Sequence, residues 1–173
     1  MSNPTIISID VESIGLHGEG YAIGWVRFID GIEVDCGVFA CPPEAAEGRD
    51  ADRKWCAANI PPIHSTHATP EDVRHAFWER WRDWKIHDPI LVADCAWPVE
   101  AAFLAACVAD NPEARTWGGP YPLHDVATAR LMAGLDPLGS DRRYPEELPK
   151  HDPICDARQS GRLFLEAWRH CRR

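Results

Sequence analysis

The chain has 173 residues, 45% of them hydrophobic, which is enough to bury the core of one compact domain. Its 27 acidic and 18 basic side chains leave a formal net charge of -9, the wrong sign for a protein that coats long nucleic acid through a broad basic face. No apolar run approaches the ~20 residues of a membrane span, and Met1-Ser2-Asn3-Pro4-Thr5 lacks the basic-then-apolar layout of a signal peptide, so one cytoplasmic domain over residues 1–173 is expected.

Thr5 to Val11 is β-branched and apolar until Asp10 and reads as a buried strand that ends in polar chemistry. Tyr21–Ile29 and Ile32–Ala40 follow as two strands joined at Asp30-Gly31, a dipeptide suited to a two-residue hairpin. Cys41 to Ala68 is rich in Pro, Ala and charge without clear period and reads as a long loop. Thr69-Pro70-Glu71-Asp72 supplies an N-cap, a proline at the first helical position and first-turn acids, and Val73, Phe77, Trp81 and Trp84 continue at helical spacing. Those tryptophans, with Trp78, are expected to pack in the core.

Ile90 to Ala93 reads as a short buried strand stopping at Asp94, and Pro98 opens an apolar helix through Phe103, Leu104, Cys107 and Val108. A helix is expected over Val126–Leu135 with Asp125 as its N-cap, and a last one over Cys155–Arg169. Strands come first and helices intervene later, an α/β layout around one mixed sheet. The seven cysteines are scattered, form no C-x-x-C pair, and read as free thiols of a reducing compartment.

In a strand, side chains at i and i+2 share a face, so Asp10 and Glu12 would present two carboxylates side by side. Ionised together they repel unless a divalent cation lies between them. An isolated D-x-E triplet is more often a solvated strand end, and an isolated His151 more often a surface histidine. The surrounding residues alter that balance.

Asp10-Val11-Glu12-Ser13-Ile14-Gly15-Leu16 resembles the first motif of the DnaQ-like (DEDDh) 3′-to-5′ exonucleases, D-x-E-(T/S)-x-G-L. His151-Asp152-Pro153-Ile154-Cys155-Asp156 resembles that group's third motif, a histidine followed after four residues by an aspartate that opens the last helix. The two motifs stand at opposite ends of the chain in the family's order, so the resemblance spans its whole length. It implies an RNase H-like fold with a central mixed five-stranded sheet flanked by helices. It also implies a 3′-to-5′ exonuclease that releases nucleoside 5′-monophosphates. Two Mg²⁺ or Mn²⁺ ions, roughly 3.5 to 4 Å apart, would be held by Asp10, Glu12, Asp156 and a fourth carboxylate, with His151 as the base. The same resemblance puts Ser13, Ile14 and Gly15 against substrate, and dimers among related exonucleases make a homodimer an expectation.

The middle motif departs from the family: Glu100 stands at the position of its aspartate and Cys95 at that of its asparagine. Asp94 at the strand end is the other candidate. Both are expected in the site, with Asp94 favoured as the direct ligand. Hard carboxylate oxygens favour magnesium or manganese over zinc. Arg142, Arg143 and Lys150 could hold phosphates or be solvated loop charges, and Trp97 could stack on a terminal base or lie in the core. The substrate expected is single-stranded or short nucleic acid with a 3′ end, RNA more than DNA on the strength of the acidic charge. A non-catalytic nucleic-acid-binding protein of the same fold and a hydrolase of small nucleotide phosphoesters are the rival readings.

Overall fold

A computed structural model describes residues 3–139 and 142–172. Five strands form one mixed sheet in the order β3-β2-β1-β4-β5: β1 Ile6–Ser13, β2 Gly20–Ile29, β3 Ile32–Ala40, β4 Ile90–Ala93 and β5 Leu123–Asp125. β2 pairs antiparallel with β1 and β3, while β4 runs parallel to both β1 and β5. The Asp30-Gly31 hairpin turn has positive φ at both residues, 51° and 81°, as expected of that dipeptide.

Helices cover both faces: α1 Asp50–Asn59, α2 Pro70–Lys85, α3 Val99–Ala109, α4 Pro112–Arg115, α5 Val126–Met132 and α6 Pro153–His170. The period of two in β1 divides the core. Ile7, Ile9 and Val11 join Phe77, Trp81, Trp84 and Phe103 of α2 and α3. Ile6 faces the other way with Val26 and Phe28, against Val126 of α5 and Leu163, Phe164 and Leu165 of α6. Asp10 and Glu12, in phase with Ile6, therefore point to the α6 side. This is the mixed α/β architecture of the RNase H-like fold, and no described helix is long and apolar enough to cross a membrane.

Several elements differ from the sequence expectation: α4 has no counterpart in it, α5 ends at Met132 rather than Leu135, and α6 begins at Pro153 rather than Cys155. β1 runs to Ser13 rather than Val11, because β2 pairs with it as far as Ser13↔Gly20 while β4 stops at Ile9↔Ala93. The carboxylates thus lie where β1 outlasts its parallel neighbour and has lost one edge partner. The segment from Cys41 to Ala68 contains α1, whose ten residues bury only Cys56 and whose N-cap, Arg49, makes no side-chain cap. β5 is three residues long, too short for a period to register. The capping box at Thr69 is present, with Asp72 accepting from the Thr69 amide and Thr69 Oγ1 from the Asp72 amide. Asp125 caps α5 by accepting from the Thr128 amide at 2.7 Å.

Candidate active site

The site assembles around the protruding end of β1. Asp10 lies opposite Gly24 of β2, and a Cβ on Gly24 would come within 2.2 Å of the Pro153 carbonyl carbon. Only glycine lets the first turn of α6 settle this closely on the sheet. That turn is fixed by Asp152, whose side chain accepts from the amides of Ile154 and Cys155 at 3.0 Å each. Proline at the first helical position adds a preset φ. Asp156, one turn into the helix, is thereby carried to the carboxylates of β1.

His151 precedes the cap with φ +62°, a left-handed conformation costing of order 1 kcal/mol in a non-glycine residue. Its amide donates to Oδ2 of Asp156 at 3.1 Å, which ties the strained residue to the helix. The other oxygen, Oδ1, accepts from Nη1 of Arg143 at 2.5 Å. Ligand atoms of Glu12, His151 and Asp156 all lie within 4.8 Å of one another.

Glu100, in the first turn of α3, is only 6% exposed, and its Oε1 accepts from the Val11 amide at 3.4 Å. The pKa shifts place it among the other acids. Burial, then repulsion from Glu12, Asp156, Glu100 and Asp94 in that order, raises Asp10 well above the carboxylate range. Burial and then Asp156, Glu100 and Asp152 push Glu12 up to about 8. Burial pushes Glu100 to about 7.

Asp94, the residue after β4, is raised by burial and then by Asp125, and is drawn back down by Arg130 and Arg143. It is the weakest of the four charges acting on Asp10. Asp94 therefore acts on Asp10 less than the other acids do, whereas Glu100 repels both Asp10 and Glu12. Carboxylates that repel one another, Glu12 and Glu100 buried and Asp10 and Asp156 half-buried, with the His151 imidazole among them, fit a hard divalent cation, which is what would relieve their repulsion.

A cleft of about 750 Å³ opens over this cluster, lined by Asp10, Glu12, His151 and Asp156 on its floor. Ser13, Ile14 and Gly15 form one wall. Ser13 Oγ donates to the Gly15 carbonyl at 2.8 Å, and Gly15 turns with φ +71°. A Cβ there would meet Asp52 Cγ at 2.7 Å, so both the turn and the approach of α1 require glycine.

The cleft is also lined by Trp55 of α1, a residue the sequence reading passed over. Its ring meets the His151 ring edge-on with centroids 5.6 Å apart, and it stays 51% exposed. The available signal was faint: first-turn acids Asp50 and Asp52 ahead of an alanine-containing run, without a cap or an apolar stripe.

The other predicted contacts lie elsewhere. Trp97 is 78% exposed and does not line the cleft, and neither do Arg142 and Lys150. Arg143 is committed to Asp156 and to the Glu147 carbonyl, which accepts from Nη1 at 3.0 Å. The Trp78, Trp81 and Trp84 rings are buried in packing.

No known family profile and no curated protein sequence matches the chain. Its structure, however, superposes on solved exonucleases. Zinc-bound E. coli exonuclease I in complex with single-stranded DNA matches with a TM-score of 0.63 at 17% identity, over 98% of this chain and 42% of that one. A moderately thermophilic exonuclease I from Methylocaldum szegediense matches with a TM-score of 0.64 at 14% identity, over 95% and 41%. E. coli exonuclease I bound to a dT13 oligonucleotide gives 0.62 at 14%, again over 95% and 41%. The chain shares the fold of part of exonuclease I and spans about two fifths of the length of these neighbours.

Proposed function

We propose that the chain is a metal-dependent 3′-to-5′ exonuclease of the DEDDh type acting on short single-stranded nucleic acid. The observation that carries this reading is the convergence of Glu12, His151 and Asp156 within 4.8 Å at the protruding end of β1, beside Asp10 and Glu100. Glu100 takes the place of the family's middle aspartate. Support for the substrate class comes from the two E. coli exonuclease I structures, one solved with single-stranded DNA and one with a dT13 oligonucleotide.

Asp10, Glu12, Glu100 and Asp156 would hold the cation, Mg²⁺ or Mn²⁺. When bound, it would supply positive charge for the scissile phosphate and make water more acidic. His151 stands at the rim of the carboxylates with its ring in the cleft, placed to take the proton of attacking water. Trp55 and the apolar Ile14, Leu16, Ile60 and Val99 offer a wall on which a terminal base can rest. The cleft volume of about 750 Å³ lies within the ordinary range for small-ligand sites, so one or two nucleotides would be gripped at a time. Such a local grip is compatible with a net charge of -9.

The test is digestion of 5′-labelled single strands of graded length with purified protein and Mn²⁺. Stepwise shortening from the 3′ end, with nucleoside 5′-monophosphates as product, is expected. Binding without shortening would make the chain a non-catalytic member of the fold. Cleavage confined to dinucleotides would make it a small-phosphoester hydrolase.

A further inference from the structure

Between α5 and α6 the chain makes a connection that the chemistry above does not use, yet it is built with unusual care. Glu147 in this connection is 1% exposed, and its carboxylate accepts from Arg162 of α6 at Nε, 2.5 Å, and Nη2, 3.0 Å, and from the Tyr144 amide at 2.9 Å. Arg162 also donates to the Arg142 carbonyl at 3.0 Å, and Arg158 to the Glu146 carbonyl at 2.8 Å. Two arginines of α6 thus pin residues 142–147 to the helix that bears Asp156. Within that pinned segment Nη1 of Arg143 is shared by the Glu147 carbonyl and Oδ1 of Asp156.

We infer that Arg143 is a positioning residue for the carboxylate cage, locking one oxygen of Asp156 while the His151 amide locks the other. This rests on the proposed reading of the site as a metal cage. A carboxylate offers about four acceptor positions, so these two bonds leave a lone pair on each oxygen for a cation. Anchoring of the guanidinium by the Glu147 carbonyl keeps it in line with Asp156 instead of free to follow substrate. The same bonds connect Asp156 to His151 across the strained φ of the histidine, so one arginine sets both the ligand and the base. Hydrogen-bond partners that orient a ligand in this way typically matter about 10–100-fold for metal affinity.

The experiment is a Mn²⁺ titration of wild-type, R143Q and R143K protein by calorimetry, with a melting curve of each metal-free protein. R143Q is expected to bind Mn²⁺ about tenfold or more weakly than wild type. R143K keeps the charge but loses the planar fork, and should fall between the two. Equal affinity in R143Q would remove any positioning role. Tighter binding would mean that the guanidinium competes with the cation, which also overturns the inference. Should R143Q fail to fold, R143K decides: weaker binding supports the assignment, and equal or tighter binding refutes it. Failure of wild-type protein to bind Mn²⁺ would refute the cage itself and this inference with it.

Discussion

The amide of Val11, between Asp10 and Glu12 in β1, donates to Oε1 of Glu100 at 3.4 Å although 89 residues separate them. The contact exists because the parallel ladder with β4 ends at Ile9↔Ala93, leaving the next amides of β1 without a strand partner on that side. A helix carboxylate takes the place of the missing strand and is thereby fixed beside the two β1 acids. Glu100→Gln retains an oxygen that can accept from Val11, so the fold should hold while the charge is lost. Turnover is expected to fall about 10²–10³-fold, the cost of one lost electrostatic contact to the developing charge. Asp94→Asn should cost less, since Asp94 repels Asp10 least of these acids. Steady-state rates of the two variants side by side check this, and a larger loss in Asp94→Asn would make Asp94 the fourth ligand.

Glu100 also shows where the sequence was legible and where it was not. Strand periodicity placed Asp10 and Glu12 on one face, and the spacing from His151 to Asp156 was visible as a motif, because both depend on neighbours in the chain. Choosing between Asp94 and Glu100 depends on where β4 stops relative to β1, a register that no local pattern encodes. Trp55 escaped for a related reason. Its helix buries one residue, so no apolar stripe marks it, and its contact with His151 joins segments 96 positions apart. Arg143 could be read as a loop charge facing phosphate until the fold paired it with Asp156.

His151→Ala should slow hydrolysis by about 10²–10⁴-fold, the range for losing a general base. Its amide bond to Asp156 belongs to the backbone and survives the substitution. Mn²⁺ binding, measured by calorimetry, is therefore expected to change little while the rate falls. Unchanged activity would remove His151 as the base.

Trp55→Ala tests the cleft wall. Stacking of a base on an aromatic ring is worth about 1–3 kcal/mol, so KM for a single-stranded oligomer should rise about 5- to 150-fold. Trp55→Phe should recover most of that. If kcat falls while KM stays fixed, the ring serves His151, which it meets edge-on at 5.6 Å, rather than the substrate.

The crowding of carboxylates predicts a direction for stability against pH. Glu12, with an ordinary value of 4.5, is held near 8 by burial and by Asp156, and Asp10 is raised by burial and by Glu12. Between about pH 5 and 8 the native, metal-free protein keeps protons that the unfolded chain has released, so stability falls as pH rises through this window. Acids lowered by their partners, such as Glu33 beside Arg158, have the opposite sign, but their window lies below the ordinary carboxylate range. Melting of chelator-treated protein should therefore occur at a lower temperature near pH 8.5 than near pH 6, each kcal/mol corresponding to about 2–4 °C. Asp10→Asn should flatten the difference while abolishing turnover, since it removes one of the repelling charges and one of the proposed ligands. Added Mn²⁺ should stabilise most at the higher pH, where the ligands are already deprotonated and the cation binds only the native state. A melting temperature of metal-free protein that climbs from pH 6 to 8.5 would contradict the repulsion on which the proposed cage depends.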